Sequence, residues 1–172
     1  LGFDINLKKI KDLNNLIDTT NETHVNDIKK FLKKNKFTSN ERDLSKVNIY
    51  IVAVPTPVSQ KKTPDLSLLK SASNIIGKYL NKNDIVIYES TVYPGCTENV
   101  CVKILENKSN LNLNKDFYCG YSPERINPGD KKRKIENIIK ITSGSNQKSA
   151  IFIDNLYKKI IKAGTYKAKD IK

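Results

Sequence analysis

Short runs rich in β-branched and aromatic residues recur along this chain, nearly every one followed by an amphipathic stretch. That alternation restricts the fold more than any other feature. VNIYIVAV (47–54) and DIVIYES (84–90) are almost continuously apolar, the pattern of strands covered on both faces. DFYCGYS (116–122) has the same character more weakly, and IIKITSG (138–144) also reads as a strand. Between the first two, DLSLLKSASNIIGKYL (65–80) puts Leu66, Leu69, Ala72, Ser73, Ile76 and Leu80 on one helical stripe, with Asp65 placed to cap it. TENVCVKILEN (97–107), capped by Thr97, and SAIFIDNLYKKIIKAG (149–164), ending at Gly164, read as two more helices. Asn6 is placed to cap a helix reaching Leu16, and a lysine-rich helix is expected from about Asn21 to Asn35. Strands and helices alternating at this spacing build an α/β fold: a doubly wound, mostly parallel sheet with helices on both faces.

Composition sets the outer limits. The 172 residues suffice for one sizeable domain, and no shift in composition divides them. No apolar run approaches the length of a membrane span and no basic-then-apolar leader opens the chain, so a cytoplasmic protein with no membrane role is expected. The net charge of +13 formally admits nucleic acid as a partner. The lysines, however, are spread over helices and loops alike, and the runs Lys29-Lys30, Lys33-Lys34 and Lys131-Lys132-Arg133-Lys134 carry no interleaved aromatics for base stacking. Solvated faces are the favoured reading, with no nucleic-acid partner. Cys96, Cys101 and Cys119 are an odd number at no metal-like spacing, and His24 is the single histidine, so neither a metal site nor a disulfide framework is expected.

The first residues, LGFDIN (1–6), read as the end of a buried strand turning into a helix, with Asp4 at the strand tip. No methionine occurs anywhere, position 1 included, so the chain is expected to be a piece of a longer one. An acid ending the second strand of a dinucleotide-binding unit accepts hydrogen bonds from the ribose hydroxyls of NAD, and its charge disfavours a 2′-phosphate. The alternative for Asp4 is a helix cap.

In a doubly wound sheet, ligands sit outside the carboxyl ends of the strands. VPTP (54–57) is a rigid loop whose obvious side-chain donor is Thr56, and a stiff turn explains it equally well. In ESTVYPG (89–95), Ser90 and Thr91 either face a ligand or make local turn bonds, and Tyr93 can simply pack. YSPERINPGD (121–130) holds Glu124 and Arg125 between Pro123 and Pro128. A carboxylate in a rigid, partly buried loop suits a general base, because burial favours proton uptake. Arg125 can complement a phosphate or carboxylate, or form a structural ion pair.

Taken in order, GFDIN, FTSNERDL, IYIVAVPTPV, PDLSLLKSAS, IVIYESTVYPG, GYSPERINPGD, KITSGS and AGTY closely resemble the UDP-glucose/GDP-mannose dehydrogenase family. Within it they are most similar to the UDP-N-acetylhexosamine 6-dehydrogenases of Vi-antigen, capsule and O-antigen synthesis. The resemblance implies NAD as cofactor, a UDP-sugar as substrate, and oxidation of the sugar C6 alcohol to the uronic acid. Hydride would leave twice, and a cysteine thioester would be hydrolysed at the end. It also implies that Asp4 contacts the adenosine ribose with the basic Lys9 nearby, that Val54, Pro55 and Thr56 line the cofactor, and that Ser90 and Thr91 lie further along it. Thr91 would also help hold the catalytic water, Glu124 would be the general base, and Arg125, Ile126 and Asn127 would border the nucleotide-sugar. A homodimer is expected of the full-length protein.

Two departures from the family pattern matter. Where UDP-glucose dehydrogenases carry a second glutamate this sequence has Pro128, which favours the N-acetylhexosamine branch. The first strand and its glycine-rich turn are missing from the pattern, and none of the three cysteines has the Gly-Gly-Ser-Cys-like context of the nucleophile. The resulting expectation is a Rossmann-like NAD-binding domain over 1–164 that lacks its first strand, with 165–172 beginning a helix toward further domains. On its own it would be inactive and bind NAD poorly. The competing expectations are a basic α/β binding module and a catalytically dead relative.

Overall fold

The computed structural model describes residues 1–59, 62–125 and 135–172. They divide into two units, Leu1–Val47 and Asn48–Lys172.

In the first unit, β1 (Gly2–Phe3) leads into helix α1 (Leu7–Asn14), and helix α2 (Val25–Leu32) leads into β2 (Phe37–Thr38). The two strands pair in parallel, Gly2 beside Phe37 and Phe3 beside Thr38. Asn6 caps α1 as expected, its side chain accepting from the Lys9 amide at 3.0 Å. The lysine-rich helix starts later than Asn21, for a local reason. The Asp18 carboxylate collects the amides of Thr20, Glu22 and Thr23, and Asn21 sits at φ 55, so a side-chain-stabilised turn occupies that stretch. A 3₁₀ turn, Glu41–Lys46, capped by Asn40, follows β2. Asp43 in that turn is buried and accepts from Thr38 Oγ1 at 2.8 Å, with Lys36 and Lys46 at 2.7 and 3.1 Å.

The second unit is built on a five-stranded sheet of β3 (Ile49–Val52), β4 (Ile85–Tyr88), β5 (Tyr118–Tyr121), β6 (Lys140–Gly144) and β7 (Thr165–Lys167), in that order. Its helices are α3 (Ser67–Gly77), α4 (Lys103–Ser109) and α5 (Gln147–Lys158). Neighbouring strands are parallel except β5 and β6, which run antiparallel. All four residues of β4 are buried. Successive side chains of a strand point to opposite faces. Ile85 and Ile87 therefore meet Ile153 and Tyr157 of α5 and Ile161 beyond it, while Tyr88 Oη lies 2.8 Å from Ser73 Oγ of α3. Helices thus cover both faces of β4, as a doubly wound layer requires.

Three local expectations change. The strand at 47–54 is covered on one face only: Tyr50 and Val52 are buried, Ile49 and Ile51 exposed. Thr97 does not cap a helix. The chain enters helix at Cys96, straight from the Pro94-Gly95 turn, and Thr97 is buried inside a π-helical turn, Thr97–Val102, that continues into α4. The segment 165–172, expected to open a helix, instead supplies β7. α5 ends at Lys158, and Gly164 at φ 87 reverses the chain so that Thr165–Lys167 pairs with Lys140–Thr142.

Candidate active site

Asp4 follows β1 directly. Its amide donates to Thr38 O at 3.2 Å, its Oδ1 accepts from the Asn6 amide at 3.0 Å, and its Oδ2 meets Lys9 Nζ at 2.9 Å. Burial opposes the charge, but the Asn6 amide and Lys9 outweigh it and hold the carboxyl below the usual carboxylate range. The side chain stays 31% exposed. A carboxylate offers about four acceptor sites. Two are accounted for here, so Asp4 remains suited to receive the hydroxyls of a ribose, and Lys9 is its ion-pair partner.

In the second unit the ends of β3 and β4 are tied together by their hydroxyls. Ser90 Oγ donates to Val54 O at 2.6 Å, and Thr56 Oγ1 donates to Thr91 O at 2.6 Å. Ser90 is buried, and its hydroxyl is engaged with the Val54 carbonyl. Pro55 and Thr91 are exposed there.

The loop after β5 closes on the same end of the sheet. Ser122 Oγ donates to Ile141 O, Ser143 Oγ donates to Tyr121 O, and the Glu124 amide donates to Glu89 O at 3.3 Å. Glu124 is not the partly buried group expected: its side chain is 40% exposed, with Oε2 3.9 Å from Lys140 Nζ and Oε1 accepting from the Arg125 amide. The Arg125 guanidinium donates to Ile139 O at 3.3 Å. Ile126 and Asn127 lie outside the described residues.

Lys140, Glu89 and Tyr157 join this group, and none was assigned a role from the sequence. Lys140 Nζ lies 3.3 Å from Glu89 Oε1, donates to Pro123 O at 3.3 Å, and sits 5.7 Å from the ring centre of Tyr157. Tyr157 Oη donates to the same Glu89 oxygen. Burial and the neighbouring Glu89 push the Tyr157 phenol well up, so it stays a donor. The one available signal was a lysine inside the apolar strand pattern IIKITSG.

Cys96, Cys101 and Cys119 are buried and free. Burial pushes the Cys101 thiol up to about 12 and the Cys119 thiol well up, which leaves both as thiols and poor nucleophiles at neutral pH. Among the described residues no group of His, Cys, Asp and Glu is arranged to hold a metal, and no helix is long and apolar enough to cross a membrane.

A doubly wound sheet with polar and charged groups gathered at strand ends defines a nucleotide-binding protein of the Rossmann class. The profile of the UDP-glucose/GDP-mannose dehydrogenase family, NAD binding domain, matches residues 1–161, and the chain belongs to that family. Over all 172 residues it is 52% identical to the UDP-N-acetyl-D-glucosamine 6-dehydrogenase of Salmonella typhi and 53% identical to that of Pseudomonas aeruginosa. The chain spans 40% of the length of each of these curated relatives. The solved UDP-D-ManNAc dehydrogenase of Pyrococcus horikoshii superposes with a TM-score of 0.85 at 30% identity, over 99% of this chain and 41% of that one. A ternary complex of GDP-mannose dehydrogenase from Pseudomonas aeruginosa gives 0.87 at 17% identity, over 99% of this chain and 40% of that one, a likeness of fold alone.

Proposed function

We propose that this chain is most of the NAD-binding domain of a longer gene product, which when complete binds NAD and oxidises the C6 alcohol of a UDP-N-acetylhexosamine to the uronic acid, for surface polysaccharide synthesis. What carries this reading is the identity of just over half the residues, along the full 172, with two proteins named UDP-N-acetyl-D-glucosamine 6-dehydrogenase.

NAD, when bound, supplies the hydride acceptor. The chain's own residues supply the other roles. Asp4 receives the ribose hydroxyls, and its charge, held by Lys9 and the Asn6 amide, turns away a 2′-phosphate. Val54, Pro55 and Thr56 form one wall of the cofactor site, while Ser90 fixes that wall through the Val54 carbonyl. Thr91, exposed at the rim, orients a water, and Glu124 takes up its proton. Arg125 borders the nucleotide-sugar, and Ile126 and Asn127 complete that border by motif. The NAD-binding domain runs through β7, which belongs to its sheet, and the complete gene product is a cytoplasmic homodimer.

The complete gene product should convert UDP-N-acetylglucosamine or UDP-N-acetylgalactosamine to the uronic acid with two NADH formed per sugar. No NADH with either sugar would refute the substrate class. Asp4→Ala should weaken NAD binding about tenfold, the equivalent of one charge-assisted hydrogen bond, and narrow the preference over NADP. An unchanged preference would remove Asp4 from the cofactor site.

A further inference from the structure

We infer that Lys140 is a positioning residue for Glu124: its ammonium, anchored inside the sheet by Glu89, the Pro123 carbonyl and the ring of Tyr157, fixes where the Glu124 carboxylate sits. This rests on the reading of Glu124 as the general base.

A lysine is almost never fully buried unless it is paired. Only 3% of the Lys140 side chain is exposed, and its surroundings form a graded set. Glu89, at 3.3 Å and 14% exposed, is locked by the Tyr157 hydroxyl on the same oxygen. Pro123 O, at 3.3 Å, is backbone. Glu124, at 3.9 Å and 40% exposed, is the more exposed of the two described acidic partners. The cation is therefore fixed by two rigid acceptors and presented to the carboxylate that faces outward.

The backbone makes this geometry. Because β6 runs antiparallel to β5, with Tyr121 beside Ser143, its first residue comes to lie next to Glu124, at the carboxyl ends of β4 and β5. Had β6 been parallel, Lys140 would stand at the opposite edge of the sheet.

Among the described residues, charged and titratable groups facing Glu124 include Lys140 from β6, Glu89 from the end of β4, Tyr157 from α5 and Arg125 on its own loop. Lys140 is shared between two carboxylates, and the two substitutions that alter the sharing act in opposite directions. Lys140→Met removes the positive neighbour of the Glu124 carboxylate, and Glu89→Gln leaves Glu124 the ammonium that Glu89 had shared.

The test is the pH dependence of kcat of the complete gene product oxidising the UDP-N-acetylhexosamine. In Lys140→Met the acid limb should move up, Lys140→Arg should bring it most of the way back, and Glu89→Gln should move it down. Reduced kcat with an unmoved limb in both Lys140→Met and Glu89→Gln, or a limb moved the same way by both, overturns the proposal. Should Lys140→Met fail to fold, the direction of the Glu89→Gln shift decides alone. Glu124→Gln separates the two readings. If it abolishes the limb while the Lys140 and Glu89 variants leave it in place, only the positioning role falls. If it retains the wild-type limb, Glu124 is not the base and both readings fall together.

Discussion

The Lys140 ammonium and the Glu89 carboxylate meet at 3.3 Å with 3% and 14% of their side chains exposed, an ion pair closed inside the sheet of the second unit. Removing one member of such a pair leaves the other charged and unpartnered, at a cost of about 3–5 kcal/mol, whereas removing both is far milder. Lys140→Met should therefore destabilise the protein by that order, and Glu89→Gln by less, because the amide oxygen still accepts from Tyr157. The double variant should be more stable than the sum of the two single effects predicts. Chemical denaturation of the four proteins measures this coupling, and strict additivity would show that the two charges do not act as a pair.

Ser90 contributes through the loop that it ties. Its hydroxyl is buried and spent on Val54 O at 2.6 Å. Ser90→Ala should cost about 1 kcal/mol, the net worth of one part-buried hydrogen bond, and raise KM for NAD more than it lowers kcat. Thr56→Val, which breaks the exposed bond to Thr91 O, should raise KM for NAD in the same sense at a smaller cost in stability. A fall in kcat at unchanged KM in either variant would place the hydroxyl on the reacting groups instead.

Much of this was legible in the sequence because it is local. The continuous apolar run at Ile85–Tyr88 is a strand buried on both faces, and the stripe containing Leu69 and Ser73 is the helix that covers one of them. Asp65 does take the Ser67 amide at 2.8 Å. What stayed hidden depends on direction and on distant partners. A two-residue strand such as Phe37–Thr38 has no period to detect. Thr97 had the chemistry of a cap, but the Pro94-Gly95 turn starts the helix one residue earlier and draws it inside. The place of Lys140 followed from the sense of β6, which nothing in IIKITSG encodes.

Acidification should first loosen the unit Leu1–Val47, through Asp43. Lys36, Thr38 and Lys46 hold its carboxyl well below the usual carboxylate range. A depressed carboxyl stabilises the folded state fully above its unfolded value of about 3.9 and ceases to do so as pH falls toward the folded value. Amide hydrogen exchange should therefore show β2 and the Glu41–Lys46 turn losing protection as pH drops below about 4. In Asp43→Asn the protection should be lower already at neutral pH, and its acid dependence flatter. Equal acid slopes in the two proteins would assign the effect to other carboxyls.

Two glycines in the second unit separate steric from conformational demand. At Gly144, where β6 ends, an added Cβ would overlap the backbone nitrogen of Ala150 and lie 2.6 Å from its Cα and 2.7 Å from Ser149 Oγ. Those atoms belong to the first turn of α5, which the reciprocal bonds of Asn146 and Ser149 hold in place. The clash therefore falls on backbone that cannot yield without shifting the helix that carries Tyr157. At Gly164 a Cβ would meet nothing within 4 Å, but φ is 87°. Gly164→Ala should cost about 1–2 kcal/mol, from backbone conformation alone. Gly144→Ala should reach about 3 kcal/mol, the upper end of overpacking, and by shifting α5 it should also disturb the Tyr157–Glu89–Lys140 group. A thermal-melt comparison ranks the two. The ranking would reverse if α5 could slide away from β6, and a Gly144→Ala protein as stable as Gly164→Ala would show that it does.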